Sequence, residues 1–466
     1  KVDPVIEIAI TPNRPDALGV HGIARDLAAR GLGRLKPLPA AEVPGTFPCP
    51  VSVSIDADTA GDGGCHVFAG RVIRGVTNGP SPKWLQDRLR AIGLRPISAL
   101  VDVTNFFTHD RNRPLHVFDA DKVGGALRIH RAKAGETLVG LDEKTYTFDD
   151  GQVVISGADG IESIAGIMGG LHTGATEATT TVFLEAAVWD HIQIAHTGRA
   201  LKINSDARYR NERGIDPAYN RQAVDDAAQM ILDLCGGEAS EVVVAGEAPV
   251  AGRAFRLDTD RVVSLVGMDI PAETQRASLR ALGFRLEGDM AHVPSWRPDV
   301  QGEADLVEEV ARIASLTKLQ GKPMPRATTG VPKAILSPMQ KRETVARRTV
   351  AALGYDECVT YSFIDAEAAG LFGGGGDATM LANPISSEMS HMRPDLLPGL
   401  LRAAARNQAR GFSDLALFEV GAAFHGGEPE EQHLQVAGLL VGRTGPRDVH
   451  GAARVVDLFD AKADAE

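Results

Sequence analysis

Four carboxylates stand close together in the chain, at Asp299, Asp305, Glu308 and Glu309. If a helix begins near Gly302, the last three lie at i, i+3 and i+4 on one of its faces. Carboxylate oxygens are ligands that magnesium prefers, so this spacing is compatible with a magnesium site. The alternative is structural, because acidic residues in the first turn of a helix interact favourably with the macrodipole. The spacing alone leaves both interpretations open.

A single carboxylate, Glu185, stands in the apolar stretch 183–187 (FLEAA), at the end of the strand predicted over 181–184. Such a stretch is typical of a buried strand, and a buried carboxylate is costly unless another group pairs with it. One interpretation is that an arginine such as Arg208 or Arg213 neutralises it. The other is that the carboxylate lines a polar pocket and binds a ligand there.

A histidine, His116, follows Thr104 and Asn105 in the same part of the chain. A neutral imidazole beside a hydroxyl and an amide could hold a water molecule or a sugar hydroxyl. The alternative is a structural histidine whose polar atoms are satisfied in the core. The residues alone do not choose between the two.

The glycine-rich stretch 164–170 (IAGIMGG) offers positions where a ligand or another backbone segment could approach closely. It lacks the GxGxxG and GxxxxGK spacings, so it does not predict a nucleotide-binding loop. The chain also lacks a GxSxG elbow, an HExxH helix and a cysteine in a nucleophile context. These residues therefore indicate a polar pocket in the part of the chain from 51 to about 245 and no familiar nucleophile.

Composition restricts the possible partners. The 466 residues include 49 Lys and Arg against 61 Asp and Glu, a net charge of -12 at pH 7, so a global positive field that attracts nucleic acid is excluded. Any RNA contact requires a local patch. No apolar run approaches the ~20 residues of a membrane helix. The four cysteines are scattered, which excludes a CxxC zinc knuckle and fits a reducing cytosol.

Apolar periodicity predicts an α+β chain of several domains with mixed or antiparallel sheets, because strands are not regularly followed by crossover helices. The predicted helices include one ending at Gly31 and others over 82–92, 220–234, 271–282, from 302, 338–353 and 396–409. The predicted strands include 5–10, 51–55, 66–73, 126–129, 153–155, 164–168, 181–184, 359–363, 415–420 and 434–441. Five prolines in 35–50 predict a linker.

Eight groups of residues, in this order, together resemble a known family: 11–16 (TPNRPD) with 22–25 (GIAR), 101–105 (VDVTN) with 114–116 (PLH), 164–170 (IAGIMGG), 185–187 (EAA), 212–217 (ERGIDP), 294–299 (PSWRPD) with 305–309 (DLVEE), 383–386 (NPIS) and 417–421 (LFEVG). The family is that of the β subunits of bacterial phenylalanine–tRNA ligase. Each motif is weak by itself, but their order and spacing are specific.

The resemblance implies a heterotetramer of two α and two β subunits. The α subunit would use ATP and magnesium to attach phenylalanine to tRNA, while the β subunit supports it, binds tRNA and hydrolyses mischarged tyrosyl-tRNA in the cytoplasm. Residues 1–50 would be a remnant and linker and 51–245 a mixed-sheet editing domain. Residues 250–327 would form a small helical DNA-binding-like domain, and 328–466 part of an inactive class II synthetase-like antiparallel-sheet domain. We expect the chain, which begins with Lys1, to be a fragment lacking the N-terminal tRNA-binding and C-terminal anticodon-binding modules.

The resemblance also assigns roles to the candidate residues. Glu185 would accept the tyrosyl hydroxyl, and Gly169 would keep the pocket wall low enough for the ring. The remaining assignments are His116, Thr104 and Asn105 for the terminal adenosine or the water, Ser205 and Ala207 for the lining, and Asp299, Asp305, Glu308 and Glu309 for magnesium near the α subunit.

Two positions depart from the family pattern near the proposed pocket. Asn211 stands where an aromatic residue is usual, and Ser205 stands where threonine is common. Two other functions remain open. The chain could be a non-catalytic assembly and tRNA-binding subunit with a vestigial pocket, or a free-standing metal-dependent hydrolase using the acids of 299–309. The latter ranks last, because no His or Cys ligand accompanies those acids.

Overall fold

The computed structural model describes residues 4–249, 252–325, 330, 335–445, 449–451 and 453–466. The chain forms two compact units, Lys1–Lys322 and Pro323–Glu466. Both combine helices with mixed or antiparallel sheets, which confirms the predicted α+β multidomain class. Within the described ranges, no helix is both long and apolar enough to cross a membrane.

The first unit contains ten α-helices among its described residues: α1 Val20–Ala29, α2 Lys83–Ala91, α3 Ala99–Arg111, α4 Ala120–Val123, α5 His191–Ala200, α6 Asp206–Asn211, α7 Asn220–Cys235, α8 Thr259–Val266, α9 Ala272–Ala281 and α10 Glu303–Ala314. Its strands are β1 Ser52–Ile55, β2 Cys65–Arg74, β3 His116–Asp119, β4 Ala126–Arg131, β5 Thr137–Val139, β6 Thr145–Thr147, β7 Val153–Ser156, β8 Ile161–Ile164, β9 Met168–Gly169, β10 Thr181–Trp189, β11 Glu238–Ala239, β12 Val243–Gly246, β13 Ala254–Arg256, β14 Arg285–Glu287 and β15 Met290–His292.

Two five-stranded sheets build the larger part of the first unit. One is mixed and has the order β1-β4-β7-β8-β9, with β1 parallel to β4. The other is antiparallel, with the order β11-β2-β10-β3 and β12 also paired to β2. Large side chains of both sheets, among them Phe68, Phe183 and Ile155, share one buried core. The two sheets therefore pack through that core.

Strand β10 is buried on both faces, which explains why its sequence is a nearly continuous apolar run. Phe183 and Ala187 belong to the core shared with the mixed sheet, whereas Leu184 and Ala186 pack with α3 and α7 on the opposite face. A strand covered on both faces needs apolar residues at odd and even positions alike. Since side chains alternate along a strand, Glu185 lies on the same face as Phe183 and Ala187.

The rest of the first unit is smaller. Strands β13, β15 and β14 form an antiparallel sheet, and residues of α8, α9 and α10 share its core. The sequence predicted both ends of α9 and the start of α10 to within a residue, but α8 was missed.

The second unit contains α11 Pro338–Ala352, α12 Ala366–Leu371, α13 Leu397–Gln408 and α14 Leu458–Ala465, with strands β16 Asp356–Glu357, β17 Phe363–Ile364, β18 His391–Met392, β19 Leu415–Phe424 and β20 Gln432–Val441. β19 pairs with β20 antiparallel and with β16 parallel, and residues of α13 share a core with β19 and β20. The predicted helices 338–353 and 396–409 and both long strands are confirmed.

Three predicted strands are wrong or misplaced. Residues 5–10 and 359–362 belong to no strand in the described part of the chain, because alternation alone does not provide the neighbour that a ladder requires. The predicted strand 164–168 is interrupted: β8 ends at Ile164, a turn follows, and β9 begins at Met168. Gly166 makes this turn with a φ of +66°, and a Cβ there would lie 2.8 Å from Trp189 Nε1.

Candidate active site

A cavity of about 440 Å³ lies in the first unit. Its volume falls in the range of about 300–1,000 Å³ that is usual for small-molecule sites. Seven candidate residues from four different parts of the chain line it together, namely Thr104, Asn105, His116, Gly169, Glu185, Ser205 and Ala207. The fold therefore brings together a set that spans a hundred positions of sequence.

Glu185 is the buried acid of this cavity. Glu185 is 6% exposed, and its side chain forms no hydrogen bond or ion pair with any of the described residues. The arginine alternative is wrong: Arg208 donates to Glu212 and to the carbonyl of Ile203, while Arg213 donates to Glu212. Burial without a partner raises the pKa of Glu185 to about 8. At neutral pH the side chain is therefore mainly a neutral carboxyl group, able to donate and to accept.

His116 lies on β3 directly opposite Glu185 on β10. Residues in register on neighbouring strands project to the same face, so the imidazole and the carboxyl border the same space. His116 Nε2 is buried and has no hydrogen-bond partner within the described part of the chain. Burial lowers the pKa of His116 to about 4, so the ring is neutral. Two adjacent polar groups thus face the cavity without protein partners.

Gly169 ends β9 against the ring of His116. A Cβ at this position would lie 2.6 Å from His116 Nε2, which is closer than real side chains approach. Only a glycine at position 169 therefore leaves room for the His116 ring in its observed place. The resemblance had assigned this glycine to the substrate ring, and the structure adds a contact within the protein.

Thr104 and Asn105 lie on α3, a helix that the sequence did not predict. Its residues are apolar on more than one side, and the run includes Val, Thr and Phe, which favour strands. A signal was present in Ser98 at the N-cap position and Asn112 at the C-terminus, which adopts a left-handed φ of +54°. The Thr104 hydroxyl donates to the carbonyl of Val101 at 2.8 Å.

Ser205 and Ala207 stand at the start of α6. The Ser205 hydroxyl accepts from the backbone N–H of Arg208 at 3.1 Å, which caps the helix, and donates to the carbonyl of Ile167 at 2.7 Å. Asn211 on the same helix donates to the carbonyl of Gly166 at 2.8 Å. The two departures from the family pattern therefore tie α6 to the turn that precedes β9.

Sequence reasoning missed the contribution of a hairpin to the cavity wall. Strands β5 and β6 pair antiparallel, and their connection places Leu141 and Asp142 in the lining. The backbone N–H of Leu141 donates to the carbonyl of Gly169 at 3.0 Å, which fastens the connection to β9. The adjacent turn residues Asp142, Glu143 and Lys144 were a hairpin signal between two short runs of Thr, Val and Tyr.

The four acids proposed for magnesium do not converge. Asp299 and Glu309 bind Arg297, and Glu309 also binds Arg312. Asp305 accepts from the backbone N–H groups of Gln301 and Gly302 and so caps α10, and Glu308 is exposed. Among the described residues, the one group of three potential metal ligands within 4.8 Å of one another is Asp62, His66 and Asp190. Three of the four acids thus have protein partners in this structure, and magnesium at α10 stays a prediction.

Three family models match successive parts of the chain. A B3/4 domain matches residues 64–236, a tRNA synthetase B5 domain matches 255–315, and a phenylalanyl tRNA synthetase beta chain CLM domain matches 323–466.

Curated relatives align along the whole chain. The phenylalanine–tRNA ligase beta subunit of Ruegeria pomeroyi is 73% identical over 466 residues, which are 100% of this chain and 58% of the relative. The β subunit of Cereibacter sphaeroides is 68% identical, and the alignment covers 100% of this chain and 58% of the relative. The β subunit of Paramagnetospirillum magneticum is 52% identical, and the alignment covers 99% of this chain and 58% of the relative. The chain belongs to the phenylalanine–tRNA ligase β-subunit family. It spans 58% of the length of these β subunits.

Membership in the phenylalanine–tRNA ligase β-subunit family confirms the predicted resemblance. The cavity residues lie within the part that matches the B3/4 domain, and the arginine-bound acids lie within the part that matches B5. The boundaries predicted at 50, 245 and 328, and the roles of individual cavity residues, stay predictions.

Proposed function

We propose that this chain belongs to a ligase β subunit and that its cavity hydrolyses tyrosine wrongly esterified to the tRNA for phenylalanine. The observation that carries the proposal is the Glu185 carboxyl, which is buried, unpartnered and exposed to a cavity rather than to solvent or an arginine. A protein tolerates such a group when a ligand completes its hydrogen bonds.

The proposed selectivity follows from the one oxygen that distinguishes tyrosine from phenylalanine. An apolar amino-acid pocket at the aminoacylation site rejects an isostere with an extra hydroxyl by only about a hundredfold. In the cavity, the tyrosyl hydroxyl would hydrogen-bond to Glu185. Phenylalanine would leave the carboxyl buried and unpaired, at a cost of about 1–3 kcal/mol. The cavity therefore selects the tyrosyl ester that the aminoacylation site fails to reject.

Water is the proposed nucleophile, since the hydroxyl groups of the lining are already engaged. Thr104, Ser163 and Ser205 all donate to backbone carbonyls. Water attacks the ester carbon, the bond from that carbon to the ribose oxygen breaks, and the ribose oxygen receives a proton, which releases tyrosine and tRNA. His116 Nε2, neutral and unpartnered, would orient the water or a ribose hydroxyl.

The proposed assembly contains two α and two β subunits and binds tRNA in the cytoplasm. Attachment of phenylalanine, with its use of ATP and magnesium, is assigned to the α subunit. The chain alone is expected not to charge tRNA, and ATP-dependent charging by it would contradict this division.

The test is Glu185→Ala in the full β chain assembled with its α partner. Hydrolysis of preformed tyrosyl-tRNA should slow by about tenfold to a hundredfold, because one hydrogen bond to a buried carboxyl is lost. Phenylalanine attachment should be unchanged. Glu177→Ala serves as the matched control, since Glu177 is exposed in the same domain and does not line the cavity.

Unchanged hydrolysis of tyrosyl-tRNA by the Glu185 variant would favour the second candidate, an assembly and tRNA-binding subunit with a vestigial pocket. Hydrolysis by the isolated chain that a chelator abolishes would instead favour the metal-dependent hydrolase.

A further inference from the structure

The connection between β5 and β6 contributes one side of the cavity. Leu141 and Asp142 line the space, and the connection is fastened by two backbone hydrogen bonds, from Leu141 N–H to the Gly169 carbonyl at 3.0 Å and from Leu171 N–H to the Val139 carbonyl at 2.9 Å. The side chain of Asp142 is 29% exposed, whereas the whole Glu185 residue is 6% exposed. Asp142 therefore stands at the rim and Glu185 at the inner end.

The lining contains three titratable side chains, Glu185, His116 and Asp142. The raised pKa of Glu185 and the lowered pKa of His116 leave both groups mainly neutral at pH 7. Burial acts to raise the pKa of Asp142, but hydrogen bonds from Tyr146 and Lys144 outweigh it and lower that pKa. Asp142 is thus the group of the lining that carries a full charge, and the charge is negative.

A continuous series of contacts connects the two ends of the cavity. Glu185 pairs in register with His116, Gly169 packs against the His116 ring, and the Gly169 carbonyl receives the N–H of Leu141, which precedes Asp142. A ligand that meets Glu185 at the inner end and follows this wall reaches Asp142 at the rim.

We propose that Asp142 binds the α-ammonium group of the aminoacyl ester and makes the cavity specific for esters with a free amino group. The inference rests on the proposed hydrolysis of tyrosyl-tRNA and names a second recognition point for the same substrate. A tyrosyl ester has a neutral hydroxyl at one end and a cation beside the ester carbon at the other. The neutral carboxyl and the charged carboxylate of the cavity match that polarity.

The present partners of Asp142 fit this role. The Tyr146 hydroxyl donates to Asp142 Oδ2 at 2.8 Å and fixes the carboxylate. Lys144 Nζ lies 3.3 Å from the same oxygen, but the lysine side chain is 74% exposed, so the pair is solvent-screened and readily exchanged for another cation. The α-ammonium group would take the place of the lysine.

The test compares hydrolysis of tyrosyl-tRNA with that of N-acetyl-tyrosyl-tRNA, in which the amino group carries no charge. The native full-length β chain, assembled with its α partner, should hydrolyse the free-amino ester faster by about tenfold, the value of one charge-assisted hydrogen bond. Asp142→Asn, which keeps the shape and an acceptor for Tyr146, should reduce this preference to less than about twofold. Glu143→Gln removes the same charge from the neighbouring residue, which does not line the cavity, and should keep the preference.

The outcomes separate the two claims. If the native assembly hydrolyses tyrosyl-tRNA, and Asp142→Asn hydrolyses both esters at the native rates and so retains the full preference for the free amine, the role of Asp142 is overturned while the proposed function stands. If the native assembly hydrolyses neither ester, the proposed function itself fails. A general loss of folding in Asp142→Asn is recognised by equal slowing of both esters, and Tyr146→Phe then provides the second variant, expected to weaken the preference about two- to threefold by freeing the carboxylate. An unchanged preference in Tyr146→Phe would also count against the proposal.

Discussion

Two glutamates in the first unit are buried to a similar degree, but their pKa values are shifted in opposite directions. Glu185 is 6% exposed and Glu309 is 1% exposed. Burial raises the pKa of Glu185 to about 8, since nothing offsets desolvation. Burial also acts to raise the pKa of Glu309, but hydrogen bonds from Arg312 and Arg297 outweigh it and lower that pKa to about 2.

The difference shows that burial of an acid does not by itself indicate a binding site. Glu309 is held in a network in which Arg297 Nη1 lies 2.5 Å and Arg312 Nη2 lies 2.7 Å from Glu309 Oε2. The network extends to the N-terminal segment, where Arg14 binds Asp16 and Asp26, and Asp26 also binds Arg312. These acids connect segments of the fold, whereas Glu185 keeps its polar atoms available to a ligand.

The largest effect is expected from Arg297→Met. The substitution leaves Glu309 and Asp299 without their shared cation, and breaking a buried ion pair from one side costs about 3–5 kcal/mol. The measurement is the free energy of unfolding in urea. Arg285→Met is the control, since its pair with Glu287 is exposed on both sides and should contribute at most about 1 kcal/mol. Equal losses in the two variants would remove the distinction between the network and a surface pair.

The two glutamates should also give opposite dependences of stability on pH. Folded Glu185 holds its proton up to about pH 8, while in the unfolded chain it ionises near the ordinary value of 4.5, so its contribution is present below pH 4.5 and is lost as pH rises towards 8. Glu185→Gln should therefore gain stability relative to the native chain over that range, at up to about 1.4 kcal/mol per pH unit.

Glu309 has the reverse sign. Its folded pKa is depressed, so its contribution is present above pH 4.5 and is lost as pH falls through about 2. Glu309→Gln should narrow the difference between stability at pH 7 and at pH 3. Urea titrations at a series of pH values measure both effects, and parallel pH profiles for the two variants would contradict the assigned environments.

An intermediate effect on activity is expected from Gly169→Ala. The added methyl group would meet the His116 imidazole, so the ring must shift from its place opposite Glu185. Hydrolysis of tyrosyl-tRNA should slow by about tenfold, the value of one misplaced hydrogen bond. Gly79→Ala, at a position with no positive φ, no neighbour near its Cβ and no place in the cavity lining, tests only the effect of a glycine replacement. Full activity in Gly169→Ala would show that the position of His116 does not matter.

The smallest effect is expected from Ser205→Ala. The variant loses the N-cap of α6 and the link to the Ile167 carbonyl, which together are worth about 1–2 kcal/mol of stability. Ser205→Thr keeps the hydroxyl and should recover most of that loss. Thermal unfolding of the two variants makes the comparison, and an unchanged unfolding temperature in Ser205→Ala would show that the two hydrogen bonds of the hydroxyl do not stabilise the fold.

Much of the fold was predictable because local physics agrees with the observed structure. Helices α1, α9 and α13 have apolar residues at helical spacing, and Gly31 and Gly283 follow two of them with left-handed φ values. The helix of 99–111 was not predictable in this way, because its residues meet a core on one side and the cavity on another, so no single apolar stripe marks it.

The sequence by itself determined that a carboxylate stands at the end of an apolar strand and that acids begin helix α10. Only the tertiary structure decided which of these acids receives an arginine. Pairing depends on which distant side chains come within about 4 Å, and Coulomb attraction and desolvation both change steeply over that distance. The same local pattern therefore became an ion-pair network around Arg297 in one place and an open polar cavity around Glu185 in the other.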